Sequence, residues 1–82
     1  MQDLSAKQLR QAGWQMMGDS RAVCTPGGDI VGWVTCVGQD TYRVYVYDGD
    51  ETLCDYDIIR DDATDAVRQA HSEILKYRES KT

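Results

Sequence analysis

The side chains in this sequence that could do chemistry are few, and their spacing suits none of the common devices. His71 is the sole imidazole, and its sequence neighbour is Ser72. A Ser–His or Cys–His device needs an exposed nucleophile and a third group that orients the base. Adjacent helical residues diverge by about 100°, so His71 and Ser72 point apart on a helix. His71 is expected at a helix boundary or surface, and no catalytic residue is assigned. Cys24, Cys36 and Cys54 are spaced by 12 and 18 residues, with no CxxC pair. A zinc site wants about four close ligands at short spacing, so the thiols are expected to be reduced and buried as small hydrophobes. Asp48, Asp50, Asp55 and Asp57 lack the spacing, central glycine and terminal glutamate of a calcium loop. Gly27-Gly28 lacks the lysine and the strand–helix frame of a phosphate loop. The chain therefore reads as a non-enzyme, with no cofactor and no metal expected.

What remains is charge and aromatic surface. The formal net charge is -5, but it is unevenly placed. Residues 29–65 hold ten acids (Asp29, Asp40, Asp48, Asp50, Glu51, Asp55, Asp57, Asp61, Asp62 and Asp65) against Arg43 and Arg60, a balance of -8. Residues 1–28 balance at +1 and residues 66–82 at +2. An acidic block repels nucleic acid and anionic membrane, and it attracts a basic groove on another protein. Aspartate is also a turn and cap residue for local hydrogen-bonding reasons, so a merely solvated acidic surface stands beside the functional reading. Tyr45, Tyr47 and Tyr56 divide in the same way. Buried, they need hydroxyl partners; exposed, they make the kind of patch that dominates interface energetics.

These groups must be positioned by a small scaffold. Eighty-two residues, 41% apolar and 28% charged, make one soluble globular domain with a marginal core. No apolar run approaches the roughly 20 residues of a membrane span. The start MQDLSAKQLR lacks the basic-then-apolar build of a signal peptide, and a cytoplasmic location is expected. Ser5 and Gln8 form a capping box between Leu4 and Leu9, so a helix is predicted over 5–17, with Gly18 as its stop. Gly13 weakens it, and an earlier end there would leave Trp14–Met17 extended. A short strand (21–25), a turn at Pro26-Gly27-Gly28, and three strands (30–37, 41–48, 51–59) follow. They are rich in β-branched and aromatic residues and joined at Gly38-Gln39-Asp40 and Asp48-Gly49. A helix over 62–78 closes the chain, capped by Asp62, with Ala63, Val67, Ala70, Ile74 and Tyr77 as its apolar stripe and fraying after residue 78.

The expected fold class is α+β: an N-terminal helix, an antiparallel sheet of three to four strands, and a C-terminal helix. A regular two-residue turn at Gln39-Asp40 predicts that Val37 faces Tyr42, Thr35 faces Val44 and Trp33 faces Val46. Val31, Trp33, Val37, Tyr42, Val44 and Val46 then share one face; Val34, Cys36, Tyr45 and Tyr47 share the other, with Gly32 and Arg43. Neither face is cleanly polar. That predicts either a sheet curled toward a small barrel and covered by a helix, or a face that meets a partner.

The run VCTPGGDIVGWVTCV, with YRVYVYDGD and DYDIIR after it, resembles a small SH3-like barrel of the Tudor or KOW type over residues 23–60. The resemblance implies a small curled barrel used as a binding scaffold. The barrel region departs from nucleic-acid-binding members by its balance of -8 in place of a basic patch, and no functional residue is carried over. The helix–strands–helix order also resembles double-stranded RNA-binding domains, but Asp61, Asp62 and Asp65 stand where a lysine cluster would serve RNA.

The functional expectation is a small acidic binding protein that docks Asp48, Asp50, Glu51, Asp55, Asp57, Tyr45 and Tyr47 into a basic, nucleic-acid-binding groove of a partner protein. Small acidic phage-encoded inhibitors of host defence, of the anti-CRISPR or anti-restriction kind, share this size and charge. Direct nucleic-acid binding is not expected. The rival reading is an SH3- or Tudor-like adaptor that holds a peptide or RNA in an aromatic groove through Trp33, Tyr45 and Tyr47. A third is a homodimer on the second sheet face.

Overall fold

The computed structural model describes residues 4–17, 21–24 and 30–81. Its elements run α1 (Ala6–Gln11), β1 (Trp14–Met17), β2 (Arg21–Cys24), β3 (Ile30–Gly38), β4 (Thr41–Asp48), β5 (Glu51–Ile59) and α2 (Ala63–Lys81). The expected stop at Gly18, the turn at Pro26-Gly27-Gly28 and the side chain of Cys24 lie outside the described residues.

The capping box forms as read. Gln8 N–H donates to Ser5 Oγ at 3.2 Å, and Ser5 N–H donates to Gln8 Oε1 at 2.8 Å. The helix is much shorter than the span 5–17, however. Gly13 adopts φ 114°, a left-handed conformation that halts α1 after Gln11. Trp14–Met17 then extends as β1, which buries Trp14 to 2% exposure. At the other end α2 passes its expected limit and reaches Lys81, because no glycine or proline interrupts it. Asp62 caps it by accepting from Thr64 N–H at 3.0 Å.

All five strands form one antiparallel meander in the order β1-β2-β3-β4-β5. The fold is α+β, with a curled sheet that does not close: β1 and β5 remain its edges. The β4–β5 turn is Gly49-Asp50, one residue on from the expected Asp48-Gly49: Asp48 still pairs with Glu51, and Gly49 supplies the positive φ (58°).

The β3–β4 register differs from the regular-turn expectation. Gly38 lies opposite Thr41, Cys36 opposite Tyr42, Val34 opposite Val44 and Gly32 opposite Val46, with an irregularity between Cys36 and Gly38. Val37 is the extra residue of a bulge. One extra residue turns the rest of β3 over. Ile30, Gly32, Val34 and Cys36 therefore join Tyr42, Val44 and Val46 on the core face, while Val31, Trp33 and Val37 leave it.

Both helices lie on that core face. Leu9, Trp14, Ile30, Val34, Tyr42, Val44 and Val46 pack with Ala66, Val67, Ala70 and Ile74 of α2. The predicted α2 stripe is the buried one, with Ala63 and Tyr77 at its rim. Gly32 lets the layers meet: a Cβ there would lie 2.5 Å from Ile74 Cδ1 and 2.9 Å from Trp14 Cη2. No helix among the described residues is long and apolar enough to cross a membrane.

Candidate interaction face

The opposite face of the sheet carries no described helix. Cross-strand register places Trp33 beside Tyr45 and Tyr45 beside Asp55; one step along, Thr35, Arg43 and Asp57 line up in the same way. Val31 neighbours Tyr47. The Tyr45 and Tyr47 rings tilt together with centroids 5.1 Å apart. Tyr45 Oη and Thr52 Oγ1 share a hydrogen bond at 3.3 Å, and Trp33 Nε1–H donates to Thr35 Oγ1 at 2.7 Å. Trp33, Tyr45 and Tyr47 are all half-buried. Side chains of this kind join an apolar ring to a polar atom, which suits them to interfaces.

Arg43 sits beside the two carboxylates. Its Nε lies 3.0 Å from Asp57 Oδ1 and 4.0 Å from Asp55 Oδ1. The hydrogen bond to Asp57, with its charge, holds the guanidinium above its ordinary pKa. These side chains are about half exposed, where screening keeps such pairs weak. Two carboxylates thus share this one guanidinium.

The structure thus brings Tyr45, Tyr47, Asp55 and Asp57 together. Asp48, Asp50 and Glu51 instead occupy the β4–β5 hairpin end, with Asp50 and Glu51 exposed. Asp40, Asp61 and Asp62 cluster at the far end of β5, where Arg60 N–H donates to the Asp40 carbonyl at 2.8 Å. Eight of the ten acids of the block thus lie on β5 or at its two ends; Asp65 stands on α2, paired with Arg68, and Asp29 lies outside the described residues. Trp33 belongs to this face, beside Tyr45, although the regular-turn register set it on the other one with Val44 and Val46. The bulge that moved it leaves one local trace, a glycine (Gly38) next to a turn.

The remaining groups with chemical potential make contacts within the fold. His71 Nδ1 accepts from Trp14 Nε1–H at 3.2 Å. Burial first, and the Arg78 charge second, lower the His71 pKa. Ser72 is exposed, turned away from that contact. Cys54 has its thiol pushed up to about 11, by burial first and then by a hydrogen bond with Glu73. Tyr56 is shifted upward by burial, and its hydroxyl accepts from Gln69 Nε2–H at 3.0 Å. Among the described residues no group of three His, Cys, Asp or Glu side chains is placed to hold a metal ion.

No protein-family profile, no curated protein and no solved structure matches the chain.

Proposed function

We propose that the chain is a small, non-enzymatic, cytoplasmic binding protein whose open sheet face docks on a basic surface of a partner protein. One observation carries the reading. Trp33, Tyr45 and Tyr47 stand side by side with Asp55 and Asp57 on the face that no described helix covers. Aromatics supply most of the energy in such contacts. The carboxylates select the partner and speed encounter. In its more specific form the basic surface is a nucleic-acid groove, and docking blocks it, the carboxylates standing where phosphates would sit. An inhibitor of host defence carried by a phage would work in this way.

The test is capture from cell extract with the intact chain as bait, at low and high salt, followed by identification of the captured protein. Asp55→Lys/Asp57→Lys is expected to abolish capture and leave the fold intact. Capture by that variant equal to the original would end this reading. The pairing of the Tyr45 and Tyr47 rings beside Trp33 favours a second reading, an adaptor that grips a peptide or RNA through aromatics alone. Loss of capture in Tyr45→Ala/Tyr47→Ala, with little salt dependence and no effect of charge reversal, would select it.

A further inference from the structure

We infer that β5 is an acceptor edge: an extended segment of the partner, alternating basic and apolar residues, adds to it as a sixth strand. This deepens the docking proposed above and rests on it. The inference begins with the backbone. Arg60 N–H donates to the Asp40 carbonyl, so these two residues form a hydrogen-bonded position of the β4–β5 ladder. Antiparallel ladders alternate bonded and non-bonded positions. Counting along the register, Ile58 with Tyr42, Tyr56 with Val44 and Cys54 with Val46 are bonded. Asp55, Asp57 and Ile59 fall between them. Their N–H and C=O groups point away from β4, to an edge that no described strand pairs. The Ile59 carbonyl already accepts from Arg60 Nη1–H at 2.8 Å, so the groups left for a new strand among the described residues are those of Asp55 and Asp57 and the Ile59 N–H. The open stretch starts after Leu53, whose carbonyl already accepts from the Tyr77 hydroxyl at 3.1 Å.

Side-chain alternation then selects the occupant. Asp55 and Asp57 present their carboxylates on the open face, on the same residues whose backbone is unpaired. An added strand would make its hydrogen-bonded pairs with these two residues, with Cα atoms about 5.5 Å apart. Its side chains at those positions would lie beside the carboxylates, where lysine or arginine is favoured. Its intervening side chains would point to the helix side, next to Tyr56 and Ile58, which are half-buried against the core. Apolar residues fit there. A second copy does not fit. Antiparallel pairing of two β5 strands would set Asp55 and Asp57 against their own counterparts, an arrangement that repels.

The test titrates the isotopically labelled full chain with a synthetic peptide alternating lysine and valine, read by amide NMR shifts and hydrogen exchange. In the proposed register the lysine N–H groups face β5. Methylating the lysine backbone nitrogens removes those donors at constant charge; methylating the valine nitrogens does not. The plain and valine-methylated peptides are expected to shift residues 55–59 and to slow exchange at Asp55 and Asp57. The lysine-methylated peptide is expected to bind about tenfold more weakly or worse, the net loss of a pair of main-chain hydrogen bonds. Equal binding by the two methylated peptides, no binding by any peptide, or a dimer through β5 by light scattering would each overturn strand addition. Peptide failure combined with lost capture in Tyr45→Ala/Tyr47→Ala overturns the strand and leaves the docking face standing. Capture retained in both that variant and Asp55→Lys/Asp57→Lys overturns the docking face, even where the peptide binds the edge.

Discussion

The indole N–H of Trp14 and Nδ1 of His71 meet at 3.2 Å, joining β1 to α2 across 57 positions of sequence. The bond requires His71 to be neutral at Nδ1. A protonated ring would have no acceptor for an indole that is only 2% exposed.

The first prediction follows from that relationship. The folded His71 pKa is lowered, so the unfolded chain takes up this proton first as the medium acidifies. His71 therefore contributes stability that is complete above the ordinary histidine range and declines as pH falls through it, between roughly pH 7 and 5. His71→Asn keeps an acceptor and cannot titrate there. Urea midpoints measured across that window should fall for the original chain and stay flatter for the variant. Equal slopes would remove His71 as the cause.

Gly32→Ala is expected to destabilise the fold by about 1–3 kcal/mol, because its Cβ enters space held by Ile74 and Trp14. Ile74→Val deletes the atom nearest that Cβ. A double-mutant cycle by chemical denaturation should show partial rescue. Strict additivity would mean that the glycine is not setting the distance between sheet and helix.

Arg43→Ala leaves Asp55 and Asp57 uncompensated. Stability should hardly change, since the ion pair is exposed. Capture of a basic partner should strengthen at low salt and converge with the original chain at high salt. Weaker capture at low salt would mean that the guanidinium, rather than the carboxylates, touches the partner.

Cys54 should alkylate slowly at neutral pH, because a thiol with its pKa near 11 holds little thiolate there. Mass spectrometry of iodoacetamide-treated native protein checks this. Labelling of Cys54 as fast as a free thiol would contradict the environment described for it.

Deleting Val37 should be tolerated. The deletion brings Cys36 directly before Gly38, which gives an unbroken ladder opposite Tyr42 and Thr41 with every other residue on its present face. Retained contacts between Val34 and Val44 in NMR spectra would show it. Their loss would mean that the bulge sets the register of β3.

The strands from residue 30 onward could be read from the chain because β-branched and aromatic runs alternate with turn residues of defined backbone need. Gly49 and Asp40 both take the positive φ that such turns call for. Tyr45 and Tyr47 were legible as neighbours, since residues two apart on β4 share a face. The partition of β3 was not. Val31, Trp33, Val34 and Cys36 are apolar on both sides of the strand, so hydrophobicity does not choose between registers one residue apart. The choice is made by α2 and Trp14, which need Gly32 beneath them, and that requirement appears only once Ile74 and Trp14 have been brought together. Trp14–Met17 was ambiguous for a related reason: a short apolar run after Gly13 suits either a last helical turn or an edge strand, and burial of Trp14 decides it.

Each strand pairs only with its neighbours in sequence. The sheet can therefore assemble hairpin by hairpin, closing short loops at small entropic cost. Long loop closure enters when α2 docks, on β3 and β4 and on Trp14 of β1. Folding should be fast by the standard of β-rich domains, with the closing helix seated last.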